Sequence, residues 1–410
     1  PQASHVELAM VGRFRRPRND TFTPTRAEQT IAVHTPALVF AATTPLLPEV
    51  VDAMLPYLRE HFGNPSSGHI YGVRARTAVA GARAQVAAML GCDADEVIFT
   101  SGGTEANNLA IRGGVASHPG RRHVVTSVIE HPATLRPCQW LESHGWRLSR
   151  VGVDCDGRVR MADAETAIGP ETALVTVMHS NNETGVLQPI AELAAVTHRY
   201  GALIHTDAAQ SIGKVPVKVD DLGVDLLSIA GHKLYAPKGV GALYVRRGVE
   251  LMPVLLGADH EHGLRPGTEN VAAIVALGQA CEILDRDLAI ANARMQTLRD
   301  GLWRQLAAAI PGLALNGHRE LRLPNTLNVR FPRVSGSAML ANTPQIAAST
   351  GSACHAGQDS ASQAILAMGV AADEALGSVR LSLGRNTTAA QIPRATTALI
   401  AAWQSIAGEP

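Results

Sequence analysis

The chain has 410 residues, with 36 basic side chains against 36 acidic ones and no formal net charge. That balance supplies no basic surface for nucleic acid as a main partner, and aromatics at 4% are too sparse for a base-stacking platform. No apolar run of about 18 residues occurs, so no membrane span is expected. Five cysteines without CxxC spacing argue against a zinc site and for free thiols in a reducing, cytoplasmic compartment.

Arg13, Arg15, Arg16 and Arg18 cluster near the start, but Glu7, Asp20 and Glu28 interrupt them. Residues 1–36 therefore read as an unstructured basic leader, with a transit peptide as the alternative. From Glu49 to Cys281, β-branched runs alternate with Ala- and Leu-rich stretches. In chain order the pattern predicts helices over 48–62 and 73–90, a strand over 97–100, a helix over 104–113 and a strand over 124–127. A helix over 133–143, a strand over 174–177, a helix over 189–200 and strands over 203–205 and 226–229 follow, with a hairpin-like strand at 241–245. Strands alternating with helices imply a mainly parallel sheet covered on both faces. After Asn270 one long helical stretch to about Ile310 leads into a smaller lobe. That lobe holds strands near 326–331 and 379–382, a loop around Cys354 and a last helix over 389–406. The expected division is a large domain at 37–280 and a small one at 281–410.

The stretch from His205 to Gly241 is the most telling. Asp207 ends one apolar run, and Lys233 follows the next. A lysine after a strand is more often a surface charge. An aspartate at the preceding strand end, in Asp207-Ala208-Ala209-Gln210, and His232 directly before the lysine point instead to pyridoxal phosphate (PLP). Lysine would form a Schiff base with the aldehyde, and the carboxylate would keep the pyridine nitrogen protonated. Thr100-Ser101-Gly102-Gly103-Thr104 follows a strand and opens a helix, which suits a phosphate as well as it suits an ordinary capping turn. His131 and the Asn181-Asn182-Glu183-Thr184-Gly185 segment also follow strands. An imidazole there can stack on a planar ring, and an asparagine can donate to the phenolic oxygen of PLP. Ligand groups at four strand ends fit a site beyond the carboxyl edge of a parallel sheet.

Together these motifs, with Ala42-Thr43-Thr44-Pro45, Gly63-Asn64-Pro65-Ser66-Ser67, Arg265-Pro266-Gly267-Thr268-Glu269-Asn270 and Gly351-Ser352-Ala353-Cys354, resemble the cysteine desulfurase and selenocysteine lyase family of fold-type-I PLP enzymes. The resemblance runs from Thr43 to Thr388. It implies an α/β fold: a large domain with a mainly parallel seven-stranded sheet, plus a smaller α+β carboxy-terminal domain. It implies Lys233 as the Schiff-base lysine, Asp207 at the pyridine nitrogen and His131 on the ring. Asn182 and Gln210 would serve the phenolic oxygen, with Asn182 also near substrate. Gly103, Thr104 and His232 would bind phosphate, with Thr268 arriving from a second subunit of a homodimer. Arg380 would hold the substrate carboxylate through its bidentate fork, ahead of Arg385. Cys354 would be the nucleophile, on a loop of small residues, whereas Cys92, Cys138, Cys155 and Cys281 read as small buried hydrophobes.

The implied reaction converts L-cysteine to L-alanine, leaves a persulfide on Cys354 and passes its sulfur to an acceptor protein. L-Selenocysteine is the alternative substrate, an aminotransferase or β-lyase without need of Cys354 is an alternative enzyme, and a degenerate scaffold subunit is the non-enzyme reading. Two departures stand out. Val39, Phe40 and Ala41 replace the family's Asp and Asn before Ala-Thr-Thr-Pro, removing a substrate contact. Ala230 replaces a serine that often serves the phosphate, a loss of about 1 kcal/mol. His260-Glu261-His262 lacks metal-site spacing and reads as a solvated or interfacial loop.

Overall fold

The computed structural model describes residues 38–351 and 360–408. The leader and Cys354 lie outside the described residues. Seven strands, β1 (Val97–Thr100), β2 (His123–Ser127), β3 (Arg147–Val151), β4 (Thr172–Thr176), β5 (Leu203–Asp207), β6 (Leu226–Ala230) and β7 (Gly241–Val245), form one sheet in the order β1-β7-β6-β5-β4-β2-β3. Pairings from β3 through β6 are parallel, while β7 runs antiparallel to both its neighbours. All of these strands except β3 are buried at every position, as a sheet covered on both faces requires.

Alternate side chains feed two cores. Phe99, Val125, Val175 and Leu227 face helices Ile70–Leu90 and Val271–Arg286, whereas Ile98, Val124, Leu174 and Leu226 face Leu109, Cys138 and Leu141. The two helices on the first face touch closely: a Cβ on Gly278 would lie 2.6 Å from the Ala82 Cα. A second sheet of β8 (Ala314–Leu315), β9 (Thr326–Arg330) and β10 (Ser378–Ser382) is antiparallel, in the order β10-β9-β8. It packs with helices Leu288–Ala309 and Gln391–Ala407 around Leu302, Leu306, Leu399 and Trp403. Among the described residues no helix is long and apolar enough to cross a membrane.

Two expectations change, and one strand was not foreseen. The long stretch after Asn270 is two helices, broken at Asp287, whose φ of −99° and ψ of 4° leave the helical range. The predicted helix over 104–113 is a helix Gly103–Asn108 that passes through a π turn at Leu109–Gly113. The edge strand β3 carries only one buried side chain, Val151, so it offered no apolar run to read. Among the smaller readings, Cys155 is exposed and not buried, while Cys138 and Cys281 lie in the core. Glu261 is not solvated either: it is buried, takes both nitrogens of Arg83 at 2.6 and 2.7 Å, and accepts from the Phe99 N–H at 2.8 Å.

Two buried histidines stitch the large sheet together. His123 bonds Thr172 and Ser149, each at 2.9 Å, and His205 bonds Thr176 at 2.8 Å and Ser228 at 2.9 Å. His179, just past β4, bonds Ser211 at 2.6 Å. Burial pushes all three imidazoles down to about 4, with Arg147 adding to the effect at His123 and Asp207 opposing it at His205. Each ring is neutral in the fold and takes up a proton more readily when unfolded. The fold should therefore keep this stability above pH 6.5, the ordinary value, and lose it as pH falls toward 4. The loss at pH ~4.5 is on the order of 2 kcal/mol for a fully buried ring such as His179. Urea midpoints measured across that window should fall steadily, and a flat profile would contradict neutral buried rings.

Candidate active site

The carboxyl ends of β1, β2, β4, β5 and β6 open onto a cavity of about 310 Å³. Gly103, Thr104, His131, Asn182, Asp207, Gln210, His232, Lys233 and Arg380 all line it. Thr268 does not: it is exposed, on a loop tied to the Gly103 helix by an Arg265–Glu105 ion pair at 2.9 Å.

β1 leads into Gly102, whose φ of 148° and ψ of −179° define a backbone region that only glycine occupies without strain. This turn starts the helix at Gly103, and the first turn of a helix leaves N–H groups without acceptors in the helix itself. β2 leads to His131, whose Nδ1 accepts from the Ala133 N–H at 3.1 Å, placing the ring proton on Nε2. Burial lowers the basicity of this imidazole, Asp207 opposes the shift, and Lys233 adds to it. A neutral ring thus borders the cavity.

Asp207 ends β5 and is held at both oxygens. Oδ1 accepts from the Ala209 N–H at 3.0 Å and Oδ2 from Asn107 Nδ2 at 2.7 Å. Lys233 lies just past β6 in a short 3-10 turn. Its Nζ donates to the carbonyl oxygens of Ala41 and Ala42, each at 2.7 Å. Gln210 Nε2 donates to the same Ala41 oxygen at 2.9 Å. Thr44 locks this segment in place, bonding the His232 carbonyl through its N–H at 2.9 Å and its hydroxyl at 3.1 Å. Sequence reading found in Val39, Phe40 and Ala41 only a missing substrate contact. The structure shows that the segment acts through backbone carbonyls, which no side-chain pattern announces. Asn107 was likewise missed, three residues past the Thr100–Thr104 motif.

Arg380 reaches the cavity from β10 and is 2% exposed. Its Nη1 donates to the Asn182 carbonyl at 2.8 Å, while Nε and Nη2 have no hydrogen-bond partner among the described residues. Burial lowers the basicity of the guanidinium, and the Glu183 carboxylate opposes that shift. Buried donors are nearly always paired, so two idle nitrogens mark a place for an acceptor that the described residues do not supply. Arg385 turns away, its side chain paired with Asp287.

These residues fit PLP. A fixed carboxylate, an amine on the next strand and a glycine-built turn surround one cavity, and the unpaired guanidinium nitrogens leave room for an amino-acid carboxylate. Ala230 lines the same space but brings no hydroxyl.

Comparison with known proteins agrees. The aminotransferase class-V family model matches residues 37–394, and a model for a family of unknown function matches residues 1–55. A cysteine desulfurase of Trichormus azollae is 45% identical over 355 residues, 86% of this chain and 89% of that protein. The cysteine desulfurase IscS of Dictyoglomus turgidum is 44% identical over 354 residues, 86% of this chain and 90% of its own length. Among solved structures, a NifS-like protein superposes with a TM-score of 0.84 at 33% identity, covering 90% of this chain and 98% of that one. A structure described as SspA in complex with cysteine gives 0.76 at 35% identity, covering 86% and 100%. The cavity at the carboxyl edge of the sheet, the matched model and these relatives lead to one conclusion: the chain belongs to the aminotransferase class-V family.

Proposed function

We propose that the protein is a PLP-dependent cysteine desulfurase that converts L-cysteine to L-alanine and holds the sulfur as a persulfide on Cys354. The observation that carries this reading is the convergence of Asp207, Lys233 and the unpaired nitrogens of Arg380 on one cavity. PLP, when bound, supplies a ring that takes up the electron pair released at the substrate's α-carbon. Asp207 holds a proton at the ring nitrogen. Lys233 Nζ moves the α-proton, and His131 offers a neutral imidazole beside it. Asn182 and Gln210 would serve the phenolic oxygen of the cofactor, and Gly103, Thr104 and His232 its phosphate. Arg380 binds and orients the substrate carboxylate with its free nitrogens. The Cys354 thiolate would attack the substrate sulfur; the Cβ–S bond breaks with its electron pair left on the carbon side, protons return to the carbon skeleton, and alanine leaves while the persulfide stays on Cys354.

The working unit is proposed to be a cytoplasmic homodimer in which Thr268 completes the neighbour's phosphate site. Phe62 at 78% and Ile70 at 66% exposure form an apolar patch with Leu58 and Tyr71 that a second copy would cover. The lobes are proposed to be 37–280 and 281–410, and an acceptor protein collects the sulfur.

The test is covalent. Borohydride reduction of the PLP-loaded protein should fix the pyridoxyl group on Lys233, located by peptide mapping. Lys214 is the nearest competitor, and burial with help from Lys233 pushes it down to about 7. However, its Nζ is engaged by the Gln210 and Lys233 carbonyls at 2.9 and 3.2 Å. A label on Lys214 would sink the assignment. Alanine and sulfide release from cysteine, set against selenide release from selenocysteine, then decides the substrate.

A further inference from the structure

Asn107 is fully buried in the helix that opens at Gly103, and it borders the cavity. Its Nδ2 makes two bonds, to Asp207 Oδ2 at 2.7 Å and to Thr134 Oγ1 at 3.2 Å. The carboxylate only accepts, so the amide has one possible orientation: a flip would set oxygen against oxygen. Held this way, Asn107 Oδ1 has no partner among the described residues. A buried amide that leaves one end unpaired is retained at a cost, and what its other end secures is the bond to Asp207.

Position explains why that bond matters. Asn107 lies one helical turn after Gly103, so it shares a rigid element with the phosphate turn. Thr134 lies three residues after His131, on the helix Pro132–Ser143. Asp207 ends the central strand β5. A single side chain thus ties together the three elements proposed to hold the phosphate, the ring face and the ring nitrogen.

We propose that Asn107 is a positioning residue: it holds the Asp207 carboxylate aimed at the ring nitrogen, at a fixed distance from the phosphate turn. With the Ala209 N–H on Oδ1 and the Asn107 amide on Oδ2, the carboxylate is fixed in rotation. Without the amide, Oδ2 loses its donor in a buried setting. A rotated Asp207 would hold the ring proton less firmly, so the electron pair released at the α-carbon would be accommodated less well.

The inference rests on PLP binding at this site. It is tested on full-length protein loaded with PLP labelled with 15N in the ring, comparing the parent with Asn107→Ala, Asn107→Ser and Asn107→Asp. The alanine and serine variants should retain PLP, shift the ring-nitrogen resonance toward the unprotonated form and lower kcat for cysteine roughly tenfold or more, with KM changed much less. Asn107→Asp is close in shape, so a merely structural role would tolerate it. An orienting role would not, because two carboxylates facing each other must share a proton. A parent that fails to bind PLP overturns the functional reading itself. A parent with a protonated ring nitrogen, beside variants with the same resonance and kcat, overturns only the role of Asn107. Loss of PLP from folded Ala and Ser variants also overturns it, since the amide would then serve the shape of the cavity and not the carboxylate.

Discussion

Cys354→Ala should abolish sulfide release from L-cysteine and persulfide formation while leaving PLP occupancy unchanged. Only a thiolate attacks sulfur well, and the other cysteines are poor substitutes. Burial pushes the thiols of Cys92, Cys138 and Cys281 up to about 12, with nearby acids such as Glu96 adding to the effect at Cys92. Cys155 sits on an exposed turn and does not line the cavity. The proposed PLP contacts come from the carboxyl edge of the large sheet, so removing a thiol beyond Gly351 should not disturb them. Gly351, the last residue described before that thiol, lies close to the strand of Arg380 and to Glu183. Its neighbour Ser349 pairs with Arg380 through backbone bonds of 2.7 and 3.3 Å, and a methyl on Gly351 would lie 3.3 Å from a Glu183 carboxylate oxygen. Selenocysteine should retain some turnover in the variant, because selenium leaves carbon more readily than sulfur. Wild-type sulfide release by Cys354→Ala would refute the desulfurase mechanism, and joint loss of PLP and activity would make the cysteine structural.

Arg380→Met should move activity and stability in opposite directions. Removing one partner of a buried, charge-assisted contact costs about 2–5 kcal/mol, so kcat/KM for cysteine should fall roughly 10²-fold or more. Arg380→Lys should recover little, because an ammonium cannot reproduce a planar two-point contact. Without substrate, however, the guanidinium is a buried charge with two idle nitrogens and one bond to the Asn182 carbonyl. An unbranched apolar side chain of similar reach removes that desolvation cost, so the melting temperature of the variant should match or exceed the parent's. A marked drop in melting temperature would mean that Arg380 holds the small sheet together and is not poised for a ligand.

Much of the fold was readable because its strands are short apolar runs at even intervals. Val97–Thr100 and Leu226–Ala230 are buried at every position, so composition alone announced them. Arg147–Val151 joins the sheet by backbone bonds to one neighbour and keeps polar side chains, so no hydrophobic signal existed. The break at Asp287 escaped notice because no proline or glycine marks it. At the site, Lys233 and Asp207 were legible as chemistry at strand ends, and Arg380 only through the family resemblance. Asn107 was not, since a polar residue inside a helix gains meaning only from the carboxylate that a distant strand brings to it. Glu261 misled for the converse reason: Arg83, its partner, lies 178 residues away.

The segment carrying Ala41 and Ala42 has a consequence for how the protein can vary. Its contributions are main-chain atoms: carbonyl oxygens facing Lys233 and Gln210, an N–H from Ala41 to Ser382 Oγ at 2.9 Å, and an N–H from Ala42 to the Val39 carbonyl at 2.8 Å. Every residue except proline carries those groups. A saturation library at these two positions should accept small replacements freely and reject proline at both. Ala41, being buried, should also exclude bulk. Sequence drift here can therefore erase familiar letters without touching the machinery, because what is inherited at this spot is the path of the chain.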